Sequence, residues 1–307
     1  YSLDKIRINT KNNWKSSLTK LLNEPDLTSK EWIWEQYDHM VMGDTIGFPG
    51  SESGVIRIHG SNKAIAVTTD CTPRYCANNA ELGACQAVVE SYRNLCAVGS
   101  KPLAITDCLN FGNPENPHVM RQIIDSIKGI SLACKALSMP VVAGNVSLYN
   151  ETEGESIPPT PQIGAVGVIK DVNKYVSNFP SEPNNQNIIL LGDTKGHLSC
   201  SIYAQKIENI NKGTPPPIDL KKELKYGIFI QELCSEEFIT SCRDLSDGGL
   251  GIALTELCLM SKIGCRIESQ NSNIIAWLFG EDQSRYIITC TDINLNNIIG
   301  KARNKNI

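Results

Sequence analysis

Four carboxylates stand where apolar runs end. Asp70 closes AIAVTTD, Asp107 closes LAITD, Asp193 follows IILLG, and Asp38 lies just ahead of HMV. Beyond the carboxyl end of a strand in an α/β sheet, an acidic side chain can hold a divalent cation or a magnesium-bound phosphate. The same position also suits a cap for the following helix. Glu90 and Asn94 form a second candidate pair. They are four residues apart on a helix predicted over 82–98, so they stack side by side. Ala84, Ala87, Val88, Ser91, Leu95 and Val98 form that helix's apolar face, and the pair sits at its edge. An acid and an amide there can share one cation, or they can simply be solvated.

The stretch PVVAGNVSLYNET (140–152) runs from a strand directly into Gly144, Asn145 and Ser147. Glycine and asparagine serve a tight turn. They also serve a ligand site, where backbone approaches phosphate only if no Cβ intervenes. In RDLSDGGLGIALTE, Asp244, Ser246 and Asp247 precede two glycines and a helical run. Ser246 or Asp247 reads as a helix N-cap, and the N–H groups of Gly248 and Gly249 suit an anion. The four histidines lack ligand spacing, and no Walker A, GxGxxG, GxSxG or HExxH pattern occurs.

The elements that must carry these residues alternate. Strands are predicted at 54–60, 63–71, 101–110, 139–147 and 163–172, with helices at 82–98 and 116–138 between them. A softer stretch, NKYVSNFPSEPNNQ, precedes a second α/β unit. That unit has strands at 187–194, 264–269 and 284–291 and helical patterns around SEEFITSC and GGLGIALTELCLMS. The division is a lead-in over 1–36, a first domain over 37–171 and a second over 172–307. In the lead-in, NNWKSSLTKLLNEP reads as a short helix stopped by Pro25. A net charge of −4 without a basic run argues against nucleic acid as a partner. No apolar stretch reaches the roughly 18–20 residues of a membrane span. The 12 cysteines include no C-x-x-C pair and mostly lie in apolar segments, which reads as buried, reduced thiols and a cytoplasmic protein. The first residue, Tyr1, suggests a piece of a longer chain.

YDHMV, TTDCTPRYC, VVESYRNLCAVGSKPLAITDCLNFGNPE, PVVAGNVSLYNET, IPPTPQIGAVG and DLSDGGLGIALTE follow one another in this order. Together they resemble the second half of the formylglycinamidine ribonucleotide synthetase family, the PurL-type amidotransferases of purine synthesis, over roughly residues 31 to 290. The resemblance implies a PurM-like α/β (α+β) A domain with a barrel-forming sheet plus helices, followed by a B domain. It implies ATP-dependent conversion of formylglycinamide ribonucleotide, with glutamine-derived ammonia, to the amidine. Asp107 and Gly144 then correspond to active-site ATP contacts, Asn145 to a Mg²⁺ ligand and Ser147 to a substrate contact. Tyr37 and Ser246 correspond to an auxiliary nucleotide site, with Asp38, Glu90, Asn94 and Asp244 as its metal ligands. The family's catalytic histidine and ATP-lysine lie in the other half, so this chain reads as an incomplete, inactive half. Implied partners are the N-terminal half, a glutaminase subunit, a small bridging subunit and a second copy through the A domain. The competing readings are a silent nucleotide-binding scaffold and another ATP-dependent enzyme of the same fold, such as an aminoimidazole ribonucleotide synthetase.

Overall fold

The computed structural model describes residues 8–269 and 271–307. Its first unit is a six-stranded sheet built from β1 (Thr45–Gly47), β2 (Gly54–Arg57), β3 (Ala64–Asp70), β4 (Lys101–Asn110), β5 (Val141–Ser147) and β8 (Thr160–Ile169). The order is β1-β2-β3-β8-β4-β5. Neighbours run antiparallel except β4 and β5, which run parallel. The crossover between those two is α5 (Pro117–Leu137), as a parallel connection requires. Short β6 (Glu151–Thr152) and β7 (Glu155–Ser156) form a hairpin after β5.

One face of the sheet is covered by α4 (Ala80–Ala97) and α5, with short α3 (Pro73–Asn78) leading in. Burial alternates along β8, so Ile163, Ala165 and Ile169 enter the core and their neighbours face away. On the other face Ile56, Val67 and Leu103 are more than two-fifths exposed. The edge strand β5 is bare on both sides: Val141 is 46%, Val142 67% and Val146 58% exposed.

The second unit is a three-stranded antiparallel sheet, β10 (Ser241–Asp244), β11 (Tyr286–Cys290) and β9 (Asn187–Leu191), in that order. Tyr226, Phe229, Ile230 and Leu233 of α7 (Leu220–Ser235) pack on one side, beside Ile298 of α10 (Asp292–Asn304). Leu250, Leu254 and Leu257 of α8 (Gly249–Ser261) pack on the other. Two shorter helices, α6 (Ile202–Ile207) and α9 (Ile274–Phe279), build a side core. The lead-in joins this unit. Asn13 caps α1 (Trp14–Leu22), and its fully buried Leu21 lies in the same cluster as Tyr203 and Phe279. The one-turn α2 (Glu31–Trp34) follows.

Most predicted elements form within a few residues of their expected bounds. Two do not. SEEFITSC is not helical: α7 ends at Ser235, Glu236 is its C-cap, and Ser241–Asp244 is recruited as a strand by pairing with β11. Residues 264–269 are irregular and exposed, because no neighbouring strand pairs with them. Helix α4 is also buried almost all round, since α7 and β10 cover what would otherwise be its polar side. Its Arg93 spans that seam, 3.2 Å from Glu223 and 3.3 Å from Asp244.

Candidate functional site

The β4–β5 ladder sets Asp107 opposite Gly144, Cys108 opposite Asn145, and Asn110 opposite Ser147. The pleat separates them. Asp107 also pairs with core residue Ile163, so it shares the helix-covered face with Gly144. Asn145 and Ser147 point to the open face with Cys108, and the Asn145 amide nitrogen lies 3.7 Å from the Cys108 sulfur. Neither Gly144 nor Asn145 belongs to a turn: both are extended strand residues, and neither has positive φ. A side chain at 144 would instead have to displace a neighbouring carboxylate. A Cβ there would stand 2.3 Å from Asp107 Oδ1. Partial burial pushes the Asp107 carboxyl up from its ordinary value. The chain turns only after Ser147, where Tyr149 adopts φ 60°.

A second polar site lies about three strand spacings away, roughly 14 Å at the usual strand separation. It is a cleft of about 580 Å³ between β2, β3, α4 and the start of α8. Glu90, Asn94, Asp244 and Ser246 all line it, so the structure brings together four of the six residues expected there. Tyr37 and Asp38 do not line it. Tyr37 is 70% exposed, and Asp38 accepts the Met40 N–H at 2.8 Å in the segment before β1. Two further acids that the motifs did not single out, Glu52 and Glu256, also line the cleft. Asp70, the strand-end carboxylate, is held there by Ser91 Oγ at 2.7 Å, Asn94 Nδ2 at 2.8 Å and Thr68 Oγ1 at 3.0 Å.

Burial dominates the electrostatics of this cleft. It pushes Glu52 up to about 8 and Asp70 up to about 6. It also raises Glu90 well above the usual carboxylate range, helped by Asp70 and Asp244. Clustered, desolvated carboxylates with oxygen donors only are a chemistry that suits a hard cation such as magnesium. No three His, Cys, Asp or Glu side chains among the described residues already converge as a cage. Arg243 supplies the nearby positive charge, 2.5 Å from Glu256 and 3.5 Å from Glu52.

The start of α8 differs from expectation. Its N-cap is Gly248, at φ 77°, and no side chain caps it. The Gly248 N–H donates instead to Glu281 Oε1 at 2.9 Å. The same buried carboxylate accepts the Ile202 N–H at 2.8 Å, Arg74 at 2.9 Å and the Tyr75 hydroxyl. Asp247 pairs with Arg74 at 2.7 Å. The remaining strand-end acid, Asp193, makes a surface ion pair with Lys222.

Residues 50–169 match the AIR synthase related protein, N-terminal domain, and residues 184–306 match the AIR synthase related protein, C-terminal domain. The chain belongs to the AIR synthase related family. Within it, the chain is 46% identical over 289 residues to the phosphoribosylformylglycinamidine synthase subunit PurL of Bradyrhizobium sp. strain BTAi1. That alignment takes in 94% of this chain and 39% of the relative, so the chain spans about two-fifths of the relative's length. Among solved structures, Thermotoga maritima PurL complexed with FGAR superposes with a TM-score of 0.75 at 19% identity, over 95% of this chain and 47% of that one. T. maritima PurL complexed with ATP gives 0.61 at 22% identity, over 86% and 38%. These structural likenesses carry the AIR synthase related fold: a sheet with one helical face and one open face, followed by a second α/β unit.

Proposed function

We propose that this chain supplies one part of a phosphoribosylformylglycinamidine synthase, which uses ATP and glutamine-derived ammonia to convert formylglycinamide ribonucleotide to the amidine. The observation that carries this reading is the 46% identity to a PurL subunit across 94% of the chain. The β4–β5 ladder supports it, because Asp107, Gly144, Asn145 and Ser147 fall within four successive rungs at the sheet edge, the first two on one face and the last two on the other. That run spans about 10 Å, a length suited to a nucleotide beside a second ligand.

In this reading ATP and the ribonucleotide meet around the unpaired edge of β5, ATP from the Asp107–Gly144 face and the ribonucleotide from the Asn145–Ser147 face. Gly144 and Asp107 border ATP, where the missing Cβ keeps the carboxylate against the strand. Asn145 offers its amide oxygen to Mg²⁺, and Ser147 donates a hydrogen bond to the ribonucleotide. A bound magnesium ion would offset phosphate charge. In the second cleft, Glu90, Asn94 and Asp244 would hold a cation under an auxiliary nucleotide, with Ser246 beside it, and Tyr37 and Asp38 would approach from the exposed segment. The unpaired β5 edge and the open sheet face suit an apposed partner sheet, either the other half of the enzyme or a second copy. The glutaminase and bridging subunits complete the set, and the assembly acts in the cytoplasm. No helix among the described residues is long and apolar enough to cross a membrane.

The test supplies ribonucleotide, magnesium-ATP and free ammonia to the complete protein and to this chain alone. The complete protein should turn over, and the chain alone should not. Turnover by the chain alone at about 1 s⁻¹ or faster would end the incomplete-half reading. No turnover by the complete protein would end the synthase reading.

A further inference from the structure

Asn150 lies three residues beyond Ser147, at the joint where β4 and β5 end. Its side-chain nitrogen is 2.9 Å from the Ser147 carbonyl oxygen, 3.0 Å from the Phe111 carbonyl oxygen and 3.1 Å from Ser147 Oγ. Its side-chain oxygen is 3.3 Å from the same hydroxyl. Two carbonyl acceptors fix which end of the amide is nitrogen, since a carbonyl can only accept. Backbone bonds close the joint. Phe111 N–H donates to the Ser147 carbonyl at 3.0 Å, and Asn150 N–H donates to the Phe111 carbonyl at 3.2 Å. Phe111 is fully buried, so one anchor of the joint is set in the core.

With both amide hydrogens aimed at carbonyls, the amide oxygen becomes the seat for the Ser147 hydroxyl proton. That seat is loose, because O–H···O bonds ordinarily span about 2.7–2.8 Å. A ligand oxygen at normal distance takes the proton at little cost. We propose that Asn150 is the positioning residue for Ser147: it fixes the serine's backbone and parks its hydroxyl as a donor for an acceptor oxygen of the substrate. The inference rests on the reading of Ser147 as a substrate contact. Asn150→Asp should be harmful for two reasons. A carboxylate faces the two carbonyls with charge where they need N–H donors. It also grips the hydroxyl proton with a charge-assisted bond that the substrate must break.

The experiment measures KM for formylglycinamide ribonucleotide and for ATP separately, in the complete protein with its partner subunits. The variants are Asn150→Asp, Asn150→Ala, Ser147→Ala and the Ser147→Ala/Asn150→Ala double variant, each with its melting temperature. Asn150→Ala serves should the charged variant fail to fold. The expected result is a ribonucleotide KM raised at least about tenfold by either Asn150 change, with the ATP KM within about twofold of the parent. The double variant should be no worse than Ser147→Ala, because a residue acting through Ser147 has nothing left to act on. Additive losses, or equal losses in both KM values, would mark a merely structural role and overturn the proposal. A raised KM in Ser147→Ala with unchanged Asn150 variants overturns it alone. An unchanged KM in Ser147→Ala removes the substrate-contact reading and the proposal with it.

Discussion

Asn145, on a strand, and Glu52, in the loop between β1 and β2, show how differently two polar side chains can be set. Asn145 is exposed on the edge strand, and its amide nitrogen lies beside the Cys108 sulfur. Its removal should therefore barely disturb the fold. If it ligates magnesium, Asn145→Leu in the complete protein should lower turnover by at least about a hundredfold while the melting temperature holds. Near-normal turnover would take Asn145 out of the site. Glu52 is the opposite case. Burial, opposed by Arg243 and reinforced by Asp244, lifts its carboxyl from an ordinary 4.5 to about 8. A raised carboxyl favours the fold while it is protonated. That contribution is complete below its ordinary value and is lost as pH rises through about 8. Glu256 faces the same group and adds to the effect. The melting temperature should fall from about pH 5 to about pH 8, and Glu52→Gln should flatten the fall. Parallel profiles for parent and variant would show that Glu52 is not the group responsible.

At the scale of elements, the crossing of α4 and α5 depends on Gly129. A Cβ there would lie 1.9 Å from the Glu81 carbonyl oxygen, a backbone atom with no room to yield. Gly129→Ala should destabilise by about 1–3 kcal/mol or more despite its better helix propensity, read as a drop in denaturant midpoint. An unchanged midpoint would mean that the helices can separate freely. The sequence made α4, α5, α8 and the strands that flank them legible through their periods, with Pro117 marking the start of α5; the Asn79 cap that starts α4 at Ala80 and the Gly248 cap of α8 were not read from it. It did not reveal that α4 is enclosed. Periodicity reports a helix's own faces, whereas the covering of Arg93 by Glu223 of α7 and Asp244 of β10 is a long-range event. The same limit explains β10, whose four residues are strand only because β11 lies beside them. For the candidate sites, spacing found Glu90 with Asn94 and Gly144 with Asn145. It missed Glu52, which arrives in the cleft from a distant loop, and Asn150, whose bonds to Phe111 depend on strand register.

At the scale of the whole molecule, the open face and the β5 edge set the expected behaviour of the chain in isolation. Exposed Ile56, Val67 and Val142 on a sheet with an unpaired edge favour association. Light scattering at micromolar concentration should give a dimer or a larger species, and Val67→Lys should shift it toward monomer. A single monomeric species for the parent would count against sheet apposition. The contact of Glu281 with α8 has a wider consequence. The N-terminus of that helix is a receptor for negative charge, and its Gly248 N–H already holds a tethered ligand: a carboxylate on the same chain, present at a high effective concentration. Arg74 and Tyr75 come from the first unit and Glu281 from the second, so evicting this ligand would also cut one of the ties between the units, beside the Arg93 seam. The helix end thus serves as a rivet between the two halves of the chain.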